Sequence, residues 1–183
     1  MKTDITQALV NEHKLILRMI ALLELNAPRT ADGSYTNWRF YLDGVDFIRN
    51  FADLFHHAKE ENVLFEALVT NGMPRANSPV EAMLMEHDQG RAYVKAMESA
   101  ALNALAVNTG MEDIIAENAL AYAELLREHI AKEDEILYPL AERVIPDTMR
   151  DGIIEGYTAA EARTPADFSD RYEAVVRVYE QEN

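Results

Sequence analysis

Five histidines and two glutamates are the residues with which this sequence could do chemistry. His56 and Glu60 are four residues apart, and so are His129 and Glu133. In a helix that spacing stacks two side chains on one face. Both pairs sit in copies of one segment, Ala58-Lys59-Glu60-Glu61-Asn62-Val63-Leu64-Phe65 and Ala131-Lys132-Glu133-Asp134-Glu135-Ile136-Leu137-Tyr138. His13 and His87 fall on the apolar stripes of two further segments, beside Leu9 and Ile16 and beside Met83 and Gly90. A single histidine on such a face is ordinarily a hydrogen-bonded core residue. Four segments each aiming one inward need a common reason, because histidine is not a preferred core residue. A carboxylate buried with them costs several kcal/mol unless it is paired or protonated. A metal cation removes that cost. His57, next to His56, flanks the same face at about 100°; it is either a fifth nitrogen ligand or a residue outside the cluster. Lys59, Glu61, Lys132 and Asp134 are expected to face solvent, with Glu61 and Asp134 left open as members of the site.

The donors are all nitrogen and oxygen, since the chain has no cysteine. That excludes thiolate zinc sites, cysteine-ligated iron–sulfur clusters and disulfides. The set suits iron or manganese and permits zinc. A structural zinc site takes one ion and four ligands, whereas His13, His56, His57, Glu60, His87, His129 and Glu133 are enough for two ions. Ferritin-like bundles use Glu-x-x-His pairs; here the acid follows the histidine by four instead.

Helices must position these residues. Apolar residues recur at helical spacing nearly throughout, which predicts an all-α, up-down-up-down four-helix bundle over 1–145 and a C-terminal helical extension over 146–183. The first helix is expected from Asp4 to Leu25, with a loop from Asn26 to Ser34 containing Pro28 and Gly33. The second runs from about Thr36 to Val69 and carries Tyr41, Val45, Ile48, Ala52, His56, Glu60 and Val63 on one stripe. Ser78-Pro79-Val80-Glu81 reads as a capping box that opens the third helix, which ends before Asn108. The fourth begins near Met111, with Ile115, Tyr122, His129, Glu133, Ile136 and Leu140 inward, and Pro139 kinks or interrupts it. In the extension, Phe168, Tyr172, Val175 and Tyr179 share a face that must cover the bundle or meet a second copy in a homodimer; packing on the bundle is the plainer expectation.

The 183 residues carry a net charge of −15. That charge argues against nucleic acid and against anionic membranes as partners. No apolar run approaches the roughly 20 residues of a membrane span, and the acidic, amide-rich start MKTDITQALVNEHK lacks the apolar core of a signal peptide. A cytoplasmic location is the expectation.

Over 4–144 the sequence resembles the hemerythrin-like (HHE cation-binding) family. The likeness rests on Asn11-Glu12-His13, His56-His57-Ala58-Lys59-Glu60-Glu61, Glu86-His87-Asp88 and His129-Ile130-Ala131-Lys132-Glu133-Asp134 followed by Leu137-Tyr138-Pro139. It implies a bundle around two iron ions, ahead of zinc or manganese, with Glu60 and Glu133 as bridging carboxylates and a position open to a small gaseous ligand such as dioxygen. The sequence departs from oxygen-carrying hemerythrins in two places. Those proteins place two histidines four apart on the third helix, where His87 here stands between Met83 and Arg91. They also supply the fourth-helix carboxylate five after its histidine, at the position of Asp134. The repeat favours Glu133. Carriage or sensing of dioxygen, an enzyme acting on peroxide or nitric oxide, and iron storage or sensing are the functions such a site implies. Ile16, Phe55, Met83 and Leu126 are expected to keep water from it, and nothing in the sequence marks a pocket for a larger organic molecule.

Overall fold

The computed structural model describes residues 2–107 and 109–182; Asn108 and Asn183, which the sequence puts in a loop and at the end of the extension, lie outside them. The described residues are helical, with no strand among them. Helix α1 spans Gln7–Ala31. Helix α2 covers 38–70: Trp38–Phe47 is α-helical, Ile48–His57 and Glu60–Leu64 are π-helical, and Phe65–Thr70 is α-helical again. Helix α3 spans Pro79–Leu105. Helix α4 covers 112–144, with a π-helical turn at Glu133–Leu137 between Glu112–Lys132 and Tyr138–Val144. Helices α5 (Asp147–Glu161) and α6 (Phe168–Glu182) form the extension. No helix among the described residues is long and apolar enough to cross a membrane.

The local signals act where expected at the start of α3. The Ser78 hydroxyl accepts from the Glu81 amide at 3.4 Å, and the Glu81 carboxylate accepts from the Asn77 amide at 2.6 Å. At the end of α1 tertiary packing overrides a breaker. The helix runs through Pro28 to Ala31 instead of stopping at Leu25, because Asn26, Ala27 and Thr30 are buried and the Thr30 hydroxyl meets the Tyr41 hydroxyl of α2 at 2.6 Å.

The core is divided in two. One apolar cluster gathers Ile16, Phe51, Val94 and Leu126; the other gathers Leu9, Leu64, Met83 and Leu137. Each bundle helix passes from one to the other in the alternating sense of an up-down-up-down bundle. Between the clusters lies a layer of buried histidines and glutamates.

The extension closes the bundle's flanks. Tyr172, Val176 and Tyr179 of α6 join the first apolar cluster, and the two phenols donate to Asp46 and Asp43 of α2 at 3.0 and 2.6 Å. Ile153 and Tyr157 of α5 join the second. Arg150 is 1% exposed. It donates to the Thr3 carbonyl at 2.6 Å, to the Glu142 carboxylate at 2.5 Å and to the Glu142 and Ile145 carbonyls at 2.6 and 3.2 Å. One guanidinium thus ties α5 to the first residues of the chain and to the end of α4. Removing a buried charged partner is strongly destabilising, so Arg150→Ala is expected to cost about 3 kcal/mol or more, read as a lower urea midpoint. An unchanged midpoint would show that the extension is held by its apolar contacts alone.

Candidate metal centre

The structure brings His13, His56, His57, Glu60, His87, His129 and Glu133 together in the polar layer. All are buried, and both glutamates are fully inaccessible. Their donor atoms form two groups that share Glu60: His13, His56, Glu60 and Glu133 in one, and His57, Glu60, His87 and His129 in the other. The Nε2 atoms of His13 and His56 lie 3.0 Å apart, as do those of His87 and His129. Glu60 Oε2 is 3.6 Å from both His56 Nε2 and His87 Nε2. Glu133 reaches His13 Nε2 with Oε2 at 3.4 Å and His129 Nε2 with Oε1 at 3.1 Å. Each glutamate therefore touches both groups.

The π-helical turns set this geometry. The Glu60 carbonyl accepts from the Phe65 amide and the Glu133 carbonyl from the Tyr138 amide, five residues on in both copies. Such wide turns occur often at functional sites. They advance the buried stripe by one residue, so Leu64 and Phe65, and Leu137 and Tyr138, point inward. The expected inward positions of Ile136 and Leu140 are corrected accordingly: Ile136 is exposed and Leu140 half-buried. Pro139, which has no amide hydrogen, follows the wide turn, and α4 continues past it to Val144. In α2 the longer π-helical run also turns each residue through less than the α-helical angle. His56 and His57 are thereby both buried facing the layer, with the His57 ring stacked on His87 at 3.8 Å.

Every histidine is held from behind by a carboxylate. His56 Nδ1 donates to Glu12 at 2.9 Å, His129 Nδ1 to Glu86 at 2.8 Å, His87 Nδ1 to Glu61 at 2.7 Å, His13 Nδ1 to Asp134 at 2.9 Å and His57 Nδ1 to Asp53 at 3.3 Å. This fixes the proton on Nδ1 and leaves the Nε2 lone pairs facing inward, the arrangement of metal-binding imidazoles. A ring of cations holds the carboxylates: Lys59 on Glu12, Lys132 on Glu86, and Arg91 on Glu61 and Asp53 at 2.7 and 2.6 Å. Lys59 does not face solvent as the sequence suggests. It is fully buried, pairs also with Glu161 of α5 at 2.9 Å and lies 3.8 Å from the Phe55 ring centre. Lys132 is partly exposed.

The layer is short of positive charge. Glu60 Oε2 and both oxygens of Glu133 are buried without a hydrogen-bond partner. Burial, and then the charge of Glu133, push Glu60 well above the usual carboxylate range. Burial opposes a charge on His129, but Glu133 and Glu86 outweigh it and raise its pKa to about 9. Burial, and then its neighbour His87, lower His57 to about 4, so that ring stays neutral. Protons thus stand where cations fit, and the orphaned oxygens beside inward-facing nitrogens are a donor set that divalent or trivalent metal ions would satisfy.

Residues 4–141 match the family model of the hemerythrin HHE cation-binding domain. The chain belongs to the hemerythrin HHE family. It is also similar to uncharacterized proteins of Mycobacterium bovis and Mycobacterium tuberculosis, each 22% identical over 137 residues, which is 75% of this chain and 53% of the relative. The chain spans about half the length of these curated relatives. No solved structure matches it significantly. Its hemerythrin-like layer fits a metal site.

The sequence also held signals beyond the spacing of histidine and glutamate. Glu12 and Glu86 each precede a histidine and hold the histidine of the next helix; the repeated Glu-His step was visible. Tyr138 aligns with Phe65 in the repeat, and the two rings stack over His13 and His87. Tyr138 differs by its hydroxyl, which donates to Glu60 Oε1 and lies 3.4 Å from His13 Nε2.

A pH dependence follows. Without metal, His129 keeps a proton up to about pH 9 in the fold, against an ordinary histidine value of 6.5 in the unfolded chain. Its contribution to stability is complete below about 6.5 and lost as the pH rises through about 9. Buried Glu12, raised from 4.5 to about 7, acts with the same sign at lower pH, between those two values. The melting temperature of metal-free protein is therefore expected to fall from pH 6.5 to 9 in calorimetry, and that of metal-loaded protein to stay nearly level. A level profile for both would contradict the proton-for-metal exchange.

Proposed function

We propose that the layer holds two iron ions and that the pair binds a small gaseous ligand such as dioxygen. In this reading His13 and His56 serve one ion, His57, His87 and His129 serve the other, and Glu60 and Glu133 are shared. The observation that carries it is the pair of buried glutamates, each within reach of both histidine groups and with three of their four oxygens lacking a hydrogen bond. The donor number supports two ions over one, and the nitrogen–oxygen chemistry supports iron over softer metals.

When bound, reduced iron supplies the electrons that let dioxygen bind reversibly. The chain supplies the rest. The ring of carboxylates orients five imidazoles, and the two apolar clusters keep bulk water from the layer. The group with only two histidines has the smaller donor set, which favours an open position there. Tyr138 stands on that side, its hydroxyl donating to Glu60 and lying 3.4 Å from His13 Nε2. The unequal histidine sets favour ligand binding over storage.

Two measurements test the reading. Anaerobically reduced protein exposed to oxygen should develop a visible absorption band that disappears on degassing; a colourless protein with stoichiometric zinc would overturn it. His57→Ala should bring the iron content down from two ions per chain toward one, and unchanged stoichiometry and spectrum would remove His57 from the ligand set.

A further inference from the structure

A cavity of about 220 Å³ opens between α2, α3 and α4, on the side of the layer where His57 and His87 stack. It is far larger than a diatomic gas needs. It is also below the roughly 300–1,000 Å³ of sites for drug-sized molecules, which leaves room for about one ring. Ile48, Val94 and Leu126 make its walls apolar, and Gly90 opens one side: a Cβ there would touch the Tyr122 ring at 3.5 Å.

Two donors on this cavity lack partners. Tyr122 is 3% exposed, and its hydroxyl has no hydrogen-bond partner. Burial, and then the Asp53 charge, push the phenol up, so it remains a donor at ordinary pH. An unmet buried hydroxyl is costly unless a ligand meets it. Lys95 lies at the exposed mouth. Arg49 there is paired with Glu98, and Arg91 with Asp53, Glu61 and Asp88, but Lys95 makes no ion pair among the described residues. Three cations line the cavity against the acids Asp53 and Glu86, in a chain of net charge −15.

We propose that this cavity binds a small organic acid with an apolar body, its carboxylate at Lys95 in the mouth and a second oxygen at its inner end accepting from Tyr122. The body lies between Val94 and Leu126. The cavity lies away from the open position beside His13; His57 and His87 stand in its wall, but the ligand's polar contacts are at Lys95 and Tyr122, which the metal reading does not use.

The test is calorimetric titration of the full chain, metal-free and metal-loaded, with 4-hydroxybenzoate, benzoate and phenol. The expected result is saturable one-to-one binding of 4-hydroxybenzoate in both forms. Benzoate, without the inner oxygen, and phenol, without the carboxylate, should each bind about tenfold more weakly. Tyr122→Phe should abolish the preference for 4-hydroxybenzoate over benzoate, Lys95→Ala its preference over phenol, and Gly90→Leu all binding. Circular dichroism checks that each variant is folded. No saturable binding at millimolar concentration, preferences that survive Tyr122→Phe and Lys95→Ala, or undiminished binding by folded Gly90→Leu would overturn the proposal. Iron content, measured on the same samples, reports separately on the metal reading.

Discussion

Glu60 and Glu133 meet at the centre of the bundle, inaccessible to solvent and with no hydrogen bond to three of their four oxygens. Two carboxylates in that position repel each other and have lost their hydration, a cost that must be met by protons or by cations. Much of the molecule is arranged around this constraint. Five imidazoles surround the pair with nitrogen donors. Five carboxylates behind them hold the rings, and three cations hold four of those carboxylates, all but Asp134. Because the charged layer is closed off above and below by separate apolar clusters, solvent does not relieve it.

The arrangement is nearly two-fold. Helices α1 and α3 each present a Glu-His step, and α2 and α4 each present a histidine followed three residues later by a Lys-Glu-acid run and then a π-helical turn. The departures from symmetry are chemically meaningful. One side has His57, oriented by Asp53 and Arg91, and the neighbouring cavity with Tyr122. The other has Ile130 where the repeat would place a partner for His57, and the Tyr138 hydroxyl where the first copy has only Phe65. The extension acts on one copy alone: Glu161 of α5 reaches the buried Lys59, so α5 touches the chain of contacts that ends at His56.

Much of this was legible in the sequence. The bundle followed from helical periodicity, the two His–Glu pairs from the four-residue spacing in the repeated segment, and His13 and His87 from their apolar stripes, while His57 was left open. What escaped had physical causes. Periodicity assumes a constant turn, so it misplaced Ile136 once the π-helical turn advanced the stripe. Breaker rules are local, so Pro28 seemed to end a helix that tertiary packing carries on to Ala31. Charge rules sent Lys59 to solvent, because its two acidic partners come from α1 and α5, distant in sequence. The cavity beside His57 arises from the absence of a side chain at Gly90 and the packing of three helices, which no single segment announces.

The central claim is that two cations balance the buried glutamates. Anomalous X-ray scattering at the iron edge, from crystals of the protein produced in iron-replete medium, tests this directly. Two peaks about 3.5–4 Å apart are predicted between Glu60 and Glu133, one facing His13 and His56 and the other facing His57, His87 and His129. A single peak, or an empty layer with the glutamates unchanged, would contradict it.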